Sequence, residues 1–423
     1  MTLYLKKIYY GWWILAGAIL AQFVSVSTGQ MVSGIFLNPI VEELGIEVWQ
    51  FATAVSLASA IGGMSVLLWS PLVDRLGPRR IMLTGAVFGS LGLVGLATHA
   101  TFVQFFVLQI VSSALGWALF GPLVINATIA KWFIVRRGWA LAIGSTGVSL
   151  AGMITPIAMT TAVDSFGWRT GYLILAVGVL CIIVPVAFVM RRQPEDFGLV
   201  PDRGQPDQNE GKETAALLRD DRQTRTRSEA VRTSGFWLLS LAYGLNAAAL
   251  GSVALYAIPF ATSVGFERSL AAAALGINGV GNLISKAVWG WALQRFDARR
   301  LAASAFSTSA LGVMIMVVAG SRDNTLLLLV GFFFYGFGFG GTIPISEFLW
   351  ARYFGRKYIA AVRGAGRPIT IIFALLGPIA TGAWFDISGS YSMAFLALVV
   401  IYLIGAFVVN LSKDPTPITE RSA

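Results

Sequence analysis

Twelve long apolar runs alternate with polar segments along this chain. Each run reaches about 20 residues, the length that a helix needs to cross the roughly 30 Å hydrocarbon core of a bilayer. We therefore predict an all-α membrane protein. The predicted spans are 10–37, 50–70, 80–98, 102–130, 139–163, 168–190, 235–262, 268–293, 301–319, 325–350, 359–385 and 390–411.

One long polar stretch, Arg191–Thr233, interrupts this alternation. It is rich in Arg, Asp, Gln and Pro, a composition typical of a solvated segment that cannot bury a core. We predict an N-terminal six-helix bundle at 1–190, a cytoplasmic linker at 191–233 and a C-terminal six-helix bundle at 234–423.

Lysine and arginine are distributed unevenly between alternate gaps. With the N-terminus inside, the inner segments carry 25 of the 31 and the outer loops carry three. Because basic residues are enriched on the cytoplasmic side of membrane proteins, both termini are predicted to be cytoplasmic, in a multi-pass protein of the cell membrane. The other three, inside predicted spans, are Lys286, Arg363 and Arg367.

Composition excludes several classes of protein. Only 12% of the 423 residues are charged, against roughly a quarter in ordinary soluble domains. The net charge of +10 does not indicate a nucleic-acid partner, because the basic residues lie in gaps between apolar runs. The single cysteine, Cys181, excludes a disulfide framework or CxxC metal site. With no phosphate-binding loop, no Cys/His cluster and no nucleophile–base pair, we expect neither an enzyme nor a cofactor.

The two halves repeat at spacings of 220 to 222 residues. Parallel repeats are a transporter architecture in which the solute site lies between the halves, near the bilayer midplane. Prolines, glycines and charged residues recur in one order, which indicates an internal duplication. The matched pairs include Pro39 with Pro259, Gly45 with Gly265, Arg75 with Arg295, Arg79 with Arg299, Arg80 with Arg300, Pro156 with Pro378, Asp164 with Asp386, and Gly167 with Gly389.

The segment SPLVDRLGPRR at 70–80 resembles the loop between the second and third helices of the major facilitator superfamily, G-x-x-x-D-R-x-G-R-R-R. Ser70 replaces the first glycine, and Gln294 replaces the aspartate in the second copy. Within that superfamily, 131–152, together with YYGWWILAG at 9–17 and DSFGWRTGY at 164–172, resembles the monocarboxylate and oxalate/formate branch. The resemblance implies twelve helices in two pseudo-symmetric bundles and transport by alternating access.

Charged side chains inside the spans are the first candidates for substrate binding, because a charge in hydrocarbon is costly and marks a functional site. By resemblance to the oxalate/formate branch, Lys286, four residues before Gly290, would bind a substrate carboxylate; the alternative is a lysine that reaches the inner interface. Arg363 and Arg367 share one helix face. The alternative for one of them is an ion pair with Glu347.

The charge balance inside the spans predicts an anionic substrate. Of the 21 acids, only Glu347 lies within a predicted span away from the outer ends. Two or three buried cations against one acid would be unfavourable unless an anion neutralised them. We expect a small organic carboxylate, bound by arginine through paired hydrogen bonds. The amides of Gln30 and Asn246 are candidates for its uncharged part.

A second group of charged residues is expected to form an inner gate. By the pseudo-symmetry, Glu347 can reach Arg295, and the loop between the second and third spans resembles the gate loop of the superfamily. Its charges would hold one conformation by pairing with adjacent helix ends. The predicted gating residues are Asp74, Arg75, Arg79, Arg80, Arg295 and Glu347.

Coupling and two rival functions stay open. The monocarboxylate carriers of higher organisms use a lysine on the first helix and an aspartate on the eighth for proton coupling, and this chain has neither. Symport with a proton and exchange against a counter-anion are both compatible with the charges. The rivals are an exporter of apolar or cationic compounds and a membrane sensor that binds its ligand without moving it. We expect a monomer in the lipid bilayer.

Overall fold

The computed structural model describes residues 9–133, 137–199, 225–293, 295–355 and 358–413. All regular secondary structure in these ranges is helical. A π-helical segment, Ser112–Trp117, follows α5, and single turns lie at Pro194–Phe197 and Arg227–Ala230. The helices are α1 Gly11–Ser27, α2 Gln30–Leu44, α3 Val48–Leu76, α4 Pro78–Thr98, α5 Phe102–Val111, α6 Pro122–Trp132, α7 Arg137–Gly144, α8 Thr146–Val189, α9 Ser234–Ser263, α10 Arg268–Ala292, α11 Ala298–Arg322, α12 Thr325–Phe354, α13 Ile359–Ser388 and α14 Ser392–Leu411.

Every predicted span coincides with helix, so the predicted all-α class is confirmed. Eight helical segments within the described ranges are long and apolar enough to cross a membrane. One of them, α8, contains the sixth predicted span and most of the fifth, whose first residues lie on α7. It kinks at Gly167, whose φ of 80° lies in the left-handed region. The helix α10 is not one of these segments, and it contains glycines, polar side chains and Lys286.

The first predicted span is broken between α1 and α2 at Thr28 and Gly29. Hydroxyl side chains donate to carbonyl groups of the last turn of α1. Among these, Ser25 O loses its helical donor because Gly29 N bonds Val26 O, and it accepts from Thr28 Oγ1 at 3.1 Å. Ser27 Oγ donates to Phe23 O at 2.7 Å and Thr28 Oγ1 donates to Val24 O at 3.1 Å. Ser27 also bonds Thr155 on α8, with 2.7 Å between the hydroxyl oxygens. Polar groups therefore take the place of main-chain donors at the break.

The chain divides into two compact units. The first comprises Met1–Leu44 and Leu57–Asp207, and the second comprises Gly45–Ser56 and Gln208–Ala423. The start of α3 therefore belongs with the second unit. Most of the predicted linker, 200–224, lies outside the described residues, so its extent stays a prediction.

Donors 220 residues apart make similar contacts in the two halves of the sequence, although the acceptors Ala114 and Phe337 are 223 residues apart. Trp69 Nε1 donates to Ala114 O at 3.2 Å, and Trp289 Nε1 donates to Phe337 O at 2.8 Å. Four residues earlier, Ser65 Oγ and Ser285 Oγ each donate to the carbonyl three residues before them, at 2.8 and 2.9 Å. The internal duplication inferred from the sequence thus extends to individual hydrogen bonds.

Close packing of α10 on α12 fixes the position of Lys286. A Cβ atom at Gly336 would lie 2.0 Å from Asn278 O, and one at Gly340 would lie 1.9 Å from Ser285 Oγ. Only glycine allows this approach of the two helices. The face of α10 that holds Asn278 and Ser285 is buried, and Lys286 follows it directly in sequence.

Candidate functional site

Three helices of the second unit carry the predicted substrate-binding residues of the C-terminal half. Asn246 lies on α9, Lys286 on α10, and Arg363 and Arg367 on α13. On α12, Glu347 lies opposite the first turns of α13.

Arg363 and Glu347 form an ion pair between α13 and α12. Both side chains are partly exposed, at 38% for the arginine and 54% for the glutamate. Tyr243 on α9 and Ser346 on α12 lie beside this pair. The alternative that one helix arginine pairs with Glu347 is therefore the arrangement observed, and Arg363 is that residue.

Arg367, one helical turn further along α13, differs from Arg363 in both exposure and pairing. Its side chain is exposed, and among the described residues it makes no hydrogen bond or ion pair. It lies eight residues after the start of α13 at Ile359, or about 12 Å along the helix axis at 1.5 Å per residue. The expectation that this cation is buried was wrong, since α13 buries the adjacent Gly366 against Ser240 instead.

Lys286 is half-buried near the C-terminal end of α10. The neighbouring Ser285 is fully buried and donates its hydroxyl to Asn282 O at 2.9 Å. On the other side, Ala287 and Val288 are exposed. The ammonium-bearing side chain therefore emerges at the boundary between the packed and the exposed faces of the helix.

Asn246 is an amide buried within α9, with 5% of its surface exposed. Its Oδ1 atom has no hydrogen-bond partner in the described part of the chain. Two residues earlier, Gly244 packs against Ile369 and Phe373 of α13. A buried acceptor without a donor costs free energy, so this amide is suited to a ligand or a water molecule. The side chain of Gln30, its proposed counterpart, lies outside the described residues.

The gating residues are arranged differently from the prediction. Glu347 pairs with Arg363 rather than with Arg295, whose guanidinium lies 4.6 Å from the ring centroid of Trp291. The reason is proximity: α13 presents an arginine directly to Glu347, and the aromatic ring at the end of α10 holds Arg295. The local acid of that loop, Asp297, instead binds Arg299 at 3.2 Å.

In the first unit, the side chains of Asp74 and Arg75 lie outside the described residues. Arg79 is exposed, with its guanidinium 4.1 Å from the ring centroid of Phe188 at the end of α8. Arg80 is exposed beside it. Their assignment to a gate stays a prediction.

Sequence reasoning gave no role to a cluster at the end of the first unit where α2 and α4 end. Glu43 accepts hydrogen bonds from both terminal nitrogens of Arg169, at 2.8 and 2.6 Å, and from Trp168 Nε1 at 2.8 Å. His99 is 2% exposed and packs on Trp168, with 5.0 Å between ring centroids. Tertiary packing against Trp168 and Phe105 buries this ring.

Apolar helices of spanning length, with ionisable side chains inside them, define a multi-pass membrane protein. The sequence model of the Major Facilitator Superfamily matches residues 18–369 and, in a second alignment, residues 239–423. The chain belongs to the Major Facilitator Superfamily. It is therefore a membrane transporter and not an enzyme.

Several known proteins are similar to the chain. It is 25% identical over 409 residues to monocarboxylate transporter 12 of Mus musculus, covering 92% of this chain and 82% of the relative. It is 38% identical over 120 residues, 27% of this chain and 25% of the relative, to the fujikurins efflux protein of Gibberella fujikuroi. Among solved structures, a bacterial homolog of the human lysosomal transporter Spinster, in an inward-facing and occupied conformation, has a TM-score of 0.72. It is 14% identical and covers 96% of this chain and 97% of that chain, which shows the shared fold.

Proposed function

We propose that this transporter moves a small organic anion, a monocarboxylate or small dicarboxylate, across the cytoplasmic membrane by alternating access. The observation that carries the proposal is Arg367. It is an exposed arginine about 12 Å along a spanning helix, without an ion-pair partner among the described residues. Arg363, one turn away on the same helix, is by comparison paired with Glu347.

The energetic argument starts from the cost of that side chain. A charge at depth in a bilayer is unfavourable unless it faces water or an opposite charge. Arg363 has its opposite charge in Glu347. For Arg367, an anionic solute in a water-filled pathway supplies what the protein does not. A carboxylate fits the planar guanidinium because two parallel hydrogen bonds can form.

Lys286 is the second proposed contact for the anion. It lies on a different helix, at the edge of a buried face, and its charge would add to that of Arg367. The amides of Asn246 and Gln30 are proposed to bind uncharged parts of the solute. Asn246 supports this role through its buried oxygen, which lacks a partner in the described ranges.

The relatives support the same substrate class. A protein named as a monocarboxylate transporter aligns with 92% of this chain. At 25% identity this similarity supports the class of solute without selecting one acid. The coupling is proposed to be symport with a proton or exchange against a counter-anion, and the chain is proposed to work as a monomer. The excess of basic residues in alternate gaps supports cytoplasmic termini.

Export of larger, apolar or cationic compounds is the second candidate function. The observation in its favour is the 38% identity over 120 residues to a protein named for fujikurins efflux. That alignment covers 27% of this chain, whereas Arg367, which has no ion-pair partner among the described residues, favours an anion. A compound without negative charge would leave this arginine unmatched.

A binding screen tests the proposal. Purified protein in detergent is heated with lactate, pyruvate, formate, oxalate and longer dicarboxylates, each at several pH values, and with an apolar cation of similar size. The proposal expects at least one carboxylate to raise the thermal unfolding midpoint, because a ligand that binds only the folded state stabilises it. Stabilisation by the cation alone would favour the exporter.

A further inference from the structure

A group of cations lies at the end of the first unit that carries the α3–α4 loop. The proposed anion-binding site does not include them. We call it the basic rim. Its members come from α4, α6 and the segment that follows α8: Arg79, Arg80, Lys131, Arg191 and Arg192. We propose that the basic rim binds the phosphate group of an anionic phospholipid.

The members of the rim lie together, as their contacts show. Gly77, in the α3–α4 loop, lies against the side chain of Arg192, which would be 3.5 Å from a Cβ atom at that position. Trp132, next to Lys131, donates from Nε1 to Arg191 O at 3.1 Å. Arg79 reaches Phe188 at the end of α8. Three separate elements therefore converge on one end of the bundle.

Aromatic rings hold the guanidinium groups of the rim in place. That of Arg191 lies 4.0 Å from the ring centroid of Phe197 and 4.8 Å from that of Tyr10. That of Arg79 lies 4.1 Å from the centroid of Phe188. A guanidinium that stacks on a ring keeps its N–H groups in its own plane, available to a phosphate oxygen.

The rim has more positive than negative charge. Two acids lie on the adjoining turn, Glu195 and Asp196, and Asp196 already binds Arg192 at 2.9 Å. Within the described residues, Arg79, Arg80 and Arg191 have no carboxylate partner. An anion from outside the protein would therefore find three arginines that no acid in the described ranges neutralises.

Exposed apolar side chains identify this anion as a lipid. Trp12 and Trp13 are 40% and 55% exposed on the first turn of α1, and Phe188 and Phe197 are 52% and 48% exposed. Tryptophan and other aromatic residues at the ends of spanning helices mark the interface where headgroups lie. Cations at this level meet phosphate groups held in the membrane.

Native mass spectrometry of the purified full chain tests the proposal. The protein is titrated with phosphatidylglycerol, with phosphatidylcholine of the same acyl chains, and with inorganic phosphate as a competitor. Each basic residue near an anionic surface contributes about 1 kcal/mol, so Arg79→Gln and Arg191→Gln should each weaken phosphatidylglycerol binding about fivefold. Arg322 is exposed and is the last residue of α11. It provides the control variant Arg322→Gln, which should bind phosphatidylglycerol as the wild type does.

Three results would overturn the proposal. Equal retention of phosphatidylcholine and phosphatidylglycerol by the wild type would remove the role of charge, independently of any variant. Unchanged binding by both folded rim variants would place the lipid elsewhere. Displacement of phosphatidylglycerol by millimolar inorganic phosphate would identify a site for the free anion and not for a lipid.

Discussion

Arg363 and Glu347 bind each other across the α12–α13 boundary, while Arg367, one turn further along α13, has no such partner among the described residues. Two arginines on one helix face are thus placed in different electrostatic settings by a single acid. The proposed anion site depends on this difference, because Glu347 neutralises one of the two charges before any solute arrives.

Removing the acid should change which anions bind best. In Glu347→Gln, Arg363 loses its counter-charge, so the site gains one positive charge. Positions four residues apart on a helix lie about 6 Å apart along its axis. A charge at that separation contributes about 1.4 kcal/mol at an effective dielectric of about 40, between the values for a protein surface and for water, or roughly tenfold. We predict a shift of about this size in preference from lactate towards oxalate, measured by competition for uptake. The exposed Glu267 provides the control Glu267→Gln, and an equal shift in that variant would contradict a local effect.

Lys286 should be essential for uptake but not for folding. Lys286→Ala removes a half-buried charge at the edge of α10, so we predict the loss of carboxylate uptake with normal abundance in the membrane. Lys286→Arg, which keeps the charge, should retain part of the activity. Lys413→Ala, at an exposed lysine after α14, is the control for losing a basic residue. Full uptake by Lys286→Ala would exclude the lysine from the binding site.

Asp386 caps the first turn of α3. Its two carboxylate oxygens accept hydrogen bonds from Val48 N at 3.1 Å and Trp49 N at 2.9 Å. A carboxylate at a helix N-terminus satisfies free N–H groups and contributes about 0.5–2 kcal/mol. We predict that Asp386→Ala lowers the thermal unfolding midpoint and that Asp386→Asn, which keeps one acceptor oxygen, lowers it less. Identical midpoints for the three proteins would show that the cap adds no stability.

His99 should make the protein less stable in mild acid. Burial lowers the pKa of His99 below its ordinary value, so the unfolded chain binds a proton more readily than the folded one. The neutral form carries no penalty above about pH 6.5, and stability falls as the pH drops below that value. We predict that the unfolding midpoint falls less between pH 7.5 and 5.5 in His99→Gln than in the wild type. Parallel pH profiles would contradict this assignment.

Local composition was sufficient to predict the fold. Helices that cross a bilayer must satisfy their own main-chain hydrogen bonds, so each apolar run of spanning length became helix. The internal repeat could also be predicted from the sequence. Trp69 and Trp289 each donate a side-chain hydrogen bond to a main-chain carbonyl, and Gly167 and Gly389 each have a positive φ. The break at Thr28 and Gly29 was not predicted, since hydroxyl groups that replace main-chain donors leave the run apolar overall.

The details of the site required tertiary structure. Sequence placed Glu347, Arg363 and Arg367 near one membrane face, but their pairing depends on the rotation of α12 and α13 about their axes. Arg295 illustrates the same limit, because an aromatic neighbour on its own loop, Trp291, holds it away from Glu347. The sequence analysis did not identify Tyr243 and Ser346 as neighbours of the Arg363–Glu347 ion pair, because hydroxyl groups inside apolar helices give no distinctive sequence signal.

Exchange of a labelled carboxylate in proteoliposomes tests the central proposal most directly. The comparison is between wild type, Arg367→Gln, Arg367→Lys and the control Arg322→Gln, all reconstituted at equal density. A hydrogen bond to a charged group contributes about 1.5–3 kcal/mol, so Arg367→Gln should raise the KM for the carboxylate at least tenfold. Arg367→Lys should recover part of the affinity, and Arg322→Gln should match the wild type. Unchanged carboxylate exchange by Arg367→Gln would contradict an anion site on α13.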